Sequence, residues 1–195
     1  MAVPPPQFDD KTTLRRKLRE ARRDFVAGFD ARAYDAALAA IDARLSPLLM
    51  RAGPIAGYVA HRGEADPLPF LMRAWHAGHE IALPHVPAQG EAGAMTFTRW
   101  SPAAMLTPGH AGIPQPEAGD PVEPAIVLAP LIGFDRAGAR LGQGGGFYDR
   151  WFAAHPAAMR IGIAWSVQEV PALDTEAWDM PLHAIVTEKE WIAPS

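Results

Sequence analysis

Residues 125–150 read AIVLAPLIGFDRAGARLGQGGGFYDR, and this stretch decides both the fold class and the chemistry. Its first part, Ala125 to Ala129, is an apolar run that suits a buried strand emerging at Pro130. Between Arg140 and Arg150, glycines stand at 142, 144, 145 and 146. A run that dense weakens helix and strand alike, so it reads as a loop whose backbone can approach something bulky. The pattern FYDRWFAAH that follows is a short helix stopped by Pro156. Strand, glycine loop and helix start together place the positive end of a helix dipole beside successive backbone N–H groups, which suits phosphate.

Two familiar phosphate motifs do not fit. A Walker loop needs Lys after its last glycine, and no Lys lies near this one; the dinucleotide fingerprint needs a third glycine at position 147, which is Phe147. The charged residues around the loop still favour a ligand over a bare tight connection. Arg140 precedes the glycines, and Tyr148, Asp149 and Arg150 follow them. Two guanidiniums can meet phosphate oxygens in fork geometry, and a carboxylate beside them can hold the accompanying magnesium.

Working outward, helices and strands alternate. A basic amphipathic helix is expected over about residues 11–27, docked by Leu14, Leu18, Ala21 and Phe25, and a second over Tyr34 to Met50. A strand Ile55 to Ala60 follows, then a short helix Leu68 to Ala77 that ends at Gly78 and a strand Glu80 to Leu83. Met95 to Trp100, Arg160 to Trp165 and Ala184 to Thr187 read as further strands. A Pro/Gly-rich connection from Ser101 to Pro124 could cover a site. The order implies an α/β fold, a layered and mainly parallel sheet flanked by helices, with the glycine loop 140–150 at a strand end. One domain is expected over residues 1–195, since that length suits one well-packed core.

Composition narrows the function classes. Hydrophobic content of 49% and charged content of 21% are those of an ordinary globular protein. Zero cysteines exclude disulfides, thiolate metal sites and a cysteine nucleophile. The start MAVPPPQFDD has neither the basic end nor the apolar core of a secretory leader, and the longest apolar run falls far below the ~20 residues that span a bilayer. The expected location is cytoplasmic, with no membrane partner. Net charge is −4, yet residues 11–23 carry seven basic side chains against Glu20 alone. That basic face reads as solvated; a nucleic-acid role lacks aromatic interleaving and a reader motif, so no nucleic-acid partner is expected. His76 and His79 straddle Gly78 without a third ligand, Ser101 and Ser166 lack a nucleophile elbow, and Trp100, Trp151, Trp165 and Trp178 read as core or rim packing, with one of them able to stack on a flat heterocycle.

The segment PLIGFDRAGARLGQGGGFYDR resembles the signature of the 5-formyltetrahydrofolate cyclo-ligase family, also called 5,10-methenyltetrahydrofolate synthetases. Phe134, Asp135, Gly138, Arg140, Leu141, Gly142, Gly144, Gly146, Tyr148, Asp149 and Arg150 all fit that pattern. The likeness extends to Lys11, Leu14 and Arg15 near the N-terminus, to YVAHRGEAD, to GHEIALPHV from Gly78, to GIPQP from Gly112 and to WDMPLHAIVTE from Trp178. Gln115 and His183 depart from the usual Glu and Asp, and Gln143 and Gly145 fill variable positions where some members are basic.

The resemblance implies an ATP- and Mg²⁺-dependent closure of 5-formyltetrahydrofolate to 5,10-methenyltetrahydrofolate through an imino-phosphate, releasing ADP and phosphate. It implies ATP binding by Lys11, Arg15, Arg140, Leu141, Gly142, Gln143, Gly144, Gly145, Gly146, Phe147, Tyr148 and Arg150. Arg140 and Tyr148 are the expected catalytic residues, Glu64 and Tyr148 the expected folate contacts, and Asp149 and Asp179 the expected magnesium ligands. The expected partner is a reduced folate, taken by a monomer or small homo-oligomer. The alternatives are a ligase or kinase of the same fold acting on another substrate, and a non-catalytic folate- or nucleotide-binding regulator.

Overall fold

The computed structural model describes residues 10–87 and 95–194; the segment read for a leader lies almost wholly outside them. Helix α1 (Lys11–Ala27) starts at Asp10, whose carboxylate accepts the N–H groups of Thr12 and Thr13. Helix α2 (Ala31–Leu45) is capped in the same way by Asp30 on Ala33. Pro47 then converts the expected last turn into a separate 3₁₀ segment, Ser46–Met50. Helix α3 (Leu68–His76) ends against Gly78, which turns left-handed at φ 93°. Helix α4 (Phe147–Ala154) follows the glycine loop.

The strands are β1 (Ile55–Ala56), β2 (Ile81–His85), β3 (Thr96–Trp100), β4 (Thr107–Pro108), β5 (Pro114–Gln115), β6 (Ile126–Pro130), β7 (Gly133–Phe134), β8 (Arg140–Leu141), β9 (Met159–Ile163), β10 (Ala184–Val186) and β11 (Trp191–Ile192). Seven of them form one sheet in the order β11-β10-β9-β6-β1-β2-β3. The five inner strands are mutually parallel, and β3 and β11 close the two edges antiparallel. The other four make two small hairpins, β4 with β5 and β7 with β8.

Alternation along the strands separates two cores. Ile126 and Leu128 of β6, with Ile55, Ile81, Leu83, Ile161 and Ile163, pack beneath α2 and α3 through Ile41, Leu45, Phe70 and Leu71. Val127 and Ala129 face the other way, with Ala56, Ala82 and Phe97, and meet Trp151 and Phe152 of α4. Both faces are covered, which is why these strands are nearly continuous apolar runs.

The order of the inner strands places a switch point between β1 and β6. From β1 the chain turns to β2 on one side, while β6 returns on the other, so the segments leaving their carboxyl ends diverge and open a crevice. This shortens the expected strand 55–60. Pairing stops at Ala56, and residues from Gly57 leave the sheet to build the crevice wall.

Candidate active site

A cleft of about 1260 Å³ occupies this crevice. Its walls come from the polar face of α1, the segment 58–64 after β1, residues 110–115 of the Pro/Gly-rich connection, the glycine loop with α4, and residues 173–179. The stretch suspected of covering a site does line one.

The first half of the Gly-rich signature is scaffolding. Asp135 is buried; one carboxylate oxygen accepts the N–H groups of Ala137 and Ala139, and the other accepts that of Leu173. Gly138 closes the turn with φ 88°, and the β7–β8 hairpin thereby delivers Arg140 to the cleft. This hairpin was not expected from the sequence, because two-residue strands carry too little periodicity to read.

Guanidiniums converge on the glycine loop. Arg15 Nε donates to the Gly142 carbonyl at 2.8 Å, Arg19 Nη2 to Gln143 Oε1 at 2.7 Å, and Arg150 Nη2 to the Gly145 carbonyl at 2.7 Å. A Cβ on Gly142 would lie 2.9 Å from Arg140 Nη1, so a side chain there would push that guanidinium from its place. Gly146 takes φ 63° as the residue that starts α4. Arg140 Nη2 donates to both carboxylate oxygens of Asp149 at 2.9 Å, its guanidinium lies 5.5 Å from the Tyr148 ring centroid, and its Nε is buried without a partner. The two residues expected to serve different ligands, phosphate and metal, are therefore paired with each other.

Beyond the loop the cleft holds a buried polar cluster. Glu64 accepts the His61 N–H on Oε2 at 3.1 Å, while Gln143 Nε2 reaches its Oε1 at 3.5 Å and Arg22 Nη1 lies 3.6 Å from that oxygen. Burial pushes the Glu64 carboxyl up from its usual range, and Arg22 pulls it back. The Tyr148 hydroxyl is buried with no hydrogen-bond partner, and burial raises its pKa well beyond neutral conditions. It stands protonated, a donor without an acceptor.

The basic face of α1 corrects the expectation of a solvated face at Arg19 and Arg22: Arg22 is only 2% exposed, and Arg19 reaches the glycine loop beside Arg15, the residue expected there. Helical spacing could have raised Arg22 as a buried residue, since it follows Leu18 by four, but a charged side chain in that stripe reads as solvent-facing.

Asp149 and Asp179 both line the cleft. Asp179 Oδ2 accepts from Lys11 Nζ at 3.5 Å and from the Glu176 N–H at 2.8 Å. Among the described residues no cluster of three or more His, Cys, Asp and Glu side chains forms a metal cage. Two carboxylates, each already facing a cation, fit a magnesium ion carried in by phosphate oxygens, which needs only one or two protein carboxylates. Of the two departures from the resembled pattern, Gln115 bonds Val86 through both ends of its amide, accepting its N–H at 3.0 Å and donating to its carbonyl at 3.1 Å. His183 lies away from the cleft against Arg160: Nδ1 accepts the Arg160 backbone N–H, Nε2 sits 3.0 Å from its Nη2, and burial with that guanidinium lowers the imidazole pKa.

A mainly parallel seven-stranded sheet, with a glycine loop under converging guanidiniums in the crevice at its switch point, defines a doubly covered α/β fold. The chain belongs to the 5-formyltetrahydrofolate cyclo-ligase family, whose sequence model matches residues 7–188. It is 35% identical over 153 residues to the 5-formyltetrahydrofolate cyclo-ligase of Escherichia coli strain K12, covering 74% of this chain and 84% of that protein. It is 32% identical over 139 residues to the cyclo-ligase of Haemophilus influenzae, covering 68% and 74%. Its fold is similar to that of Aquifex aeolicus 5,10-methenyltetrahydrofolate synthetase, with a TM-score of 0.76, 28% identity, and 94% and 92% of the two chains covered.

Proposed function

We propose that this cleft takes ATP at the glycine loop and 5-formyltetrahydrofolate beside Glu64 and Tyr148, and joins the two chemistries in one ring closure. The observation that carries the reading is the contiguity of the two halves. Gln143 and Tyr148 belong to the glycine loop and the start of α4, yet both face the Glu64 cluster.

In this reading the formyl oxygen attacks the γ-phosphorus and ADP departs with the bridging electron pair. The resulting imino-phosphate carries an electrophilic carbon, which the nitrogen at position 10 attacks. The nitrogen loses its proton, the carbon–oxygen bond breaks, and inorganic phosphate leaves with that electron pair, giving 5,10-methenyltetrahydrofolate. Lys11, Arg15, Arg140 and Arg150 spread the charge on the transferring phosphoryl group, the kind of preorganised stabilisation that dominates phosphoryl transfer. Protonated Tyr148 donates to an oxygen arriving in the cleft. Asp149 and Asp179 would hold a magnesium ion that neutralises β- and γ-phosphate charge when bound. The chain needs no covalent intermediate, consistent with its lack of cysteine.

The test is the near-ultraviolet absorbance of methenyltetrahydrofolate in a mixture of protein, 5-formyltetrahydrofolate, ATP and Mg²⁺. A rise that requires both ATP and metal supports the reading. A flat trace with ATP shown to bind would leave the phosphate site and reject the folate assignment. Arg140→Ala should lose about 100-fold or more in turnover, the scale of one lost transition-state donor, while folate affinity stays within a few-fold. Unchanged turnover in that variant would remove Arg140 from the mechanism.

A further inference from the structure

Arg22 lies within the cleft wall with 2% of its surface exposed, on the helix whose neighbouring cations are assigned to phosphate. It does not reach the glycine loop backbone. Its Nη2 donates instead to the Arg62 carbonyl at 3.1 Å, and its Nη1 faces Glu64 Oε1 at 3.6 Å. The turn it meets is shaped to receive it. Arg62 adopts φ 50°, a strained left-handed value for a side-chain-bearing residue, and the same turn folds Glu64 back so that its carboxylate bonds the His61 N–H. A buried, charged side chain, a strained backbone and a returned carboxylate are costly separately and make sense as one device.

We propose that Arg22 is a positioning residue of the folate site: from α1 it fixes the Glu64 carboxylate as an anion aimed into the cleft. The inference rests on the reading of Glu64 as a folate contact. An anionic, oriented acceptor suits the N–H donors of a reduced pterin, whereas a protonated carboxyl offers them a poorer one. Burial alone drives Glu64 toward the protonated form, and Arg22 is the cation that opposes it. The other groups facing that carboxyl carry no formal charge: Gln143 from the glycine loop, Tyr148 from α4, and Tyr58 with the His61 backbone on its own segment. No second cation compensates among them. Two Arg22 nitrogens, Nε and Nη1, are buried without a hydrogen bond, so what the guanidinium gives Glu64 across 3.6 Å is its charge.

Calorimetric titration of 5-formyltetrahydrofolate into the full chain, from mildly acidic to mildly alkaline pH, tests this in Arg22→Gln, Arg22→Lys, Glu64→Gln and the Arg22→Gln/Glu64→Gln double variant. A non-hydrolysable ATP analogue with Mg²⁺ serves as the control for the fold. The expected result is that Arg22→Gln binds folate about tenfold more weakly at the acidic end of the range and recovers as pH rises, since without the guanidinium burial holds more of the carboxyl protonated until the pH is high enough to ionise it. Arg22→Lys should bind close to wild type, and the double variant no worse than Glu64→Gln alone, because Arg22 acts through that carboxylate. Arg22→Gln binding folate like wild type while Glu64→Gln loses affinity would overturn the role of Arg22 and leave Glu64 as the folate contact. Glu64→Gln binding like wild type would overturn both. A loss in Arg22→Gln that is equal at every pH and shared by the ATP analogue would reduce Arg22 to a structural residue.

Discussion

Tyr148 shows how far a single residue departs from what stability alone would select. A buried hydroxyl without a partner costs about 1–3 kcal/mol, and nothing in the free protein repays it. Phenylalanine keeps the ring contacts with Phe97 and Phe152 and deletes only the orphan oxygen. Tyr148→Phe should therefore melt higher than wild type, by roughly 2–4 °C per kcal/mol gained in a chain of this size. Its turnover should fall by about 100-fold, the magnitude of a lost donor at a reacting oxygen. Thermal unfolding and the methenyl absorbance assay read the two effects; lower stability with intact turnover would make the hydroxyl a structural group. The Arg140–Asp149 pair behaves oppositely. Removing one partner of a buried pair strands the other, so Asp149→Ala should lose about 3 kcal/mol of stability in denaturant unfolding without any ligand present.

At the scale of elements, the glycine loop and α4 act as one unit. Gly146 holds the left-handed turn from which α4 starts, and a Cβ there would lie 2.8 Å from Arg150 Nη1. The guanidinium can move aside, but the backbone penalty of about 1–2 kcal/mol remains. Gly146→Ala should weaken the ATP analogue by about tenfold and leave 5-formyltetrahydrofolate affinity near wild type, measured by the same titrations. Equal losses for both ligands would mean that the loop shapes the whole cleft. This unit was legible because glycine density, the apolar strand before it and the helical pattern after it are all local signals. The neighbouring β7–β8 hairpin was not, because its shape depends on Asp135 reaching Leu173, a contact 38 residues away that periodicity does not encode. Strand 55–60 was overextended for a related reason: Tyr58 and Val59 remain in or against the apolar core after the chain has left the sheet, so their hydrophobicity mimics strand.

For the whole molecule, the decisive contacts are those of α1. The alternating order showed the sheet, yet sequence could not say where an N-terminal helix with a polar face would dock. It crosses the site and touches parts of the chain distant from one another: Arg22 meets residues 62 and 64, Arg15 and Arg19 meet the glycine loop at 142 and 143, and Lys11 meets Asp179. Its apolar anchoring is divided along its length: Leu18 packs on Ile132 and Leu141 with half-buried Leu14 beside them, while Phe25 and Val26 near its end pack against the main core, Phe25 beside Trp165. Along residues 11–22 the helix also turns charge toward the cleft, where several cations stand close together; Arg19 is depressed by burial and by the nearby charges of Arg15, Arg22 and Arg62. On the proposed reading, a polyphosphate entering there supplies negative charge and cross-links α1 to the loop. A ligand at 100 times its dissociation constant adds about 2.7 kcal/mol of stability. That gain should concentrate where the new bonds form, so the amides of α1 should exchange hydrogen more slowly when the ATP analogue and Mg²⁺ are bound, while those of α2 and α3, on the opposite core, change little. Hydrogen exchange followed by mass spectrometry distinguishes this from uniform tightening, and equal protection across all helices would show that α1 is already fixed by its packing. Added salt sharpens the test. Screening weakens charged contacts more than apolar ones, so in the ligand-free protein exchange in residues 11–22 of α1 should change with ionic strength while that of its core-packed end and of α2 does not.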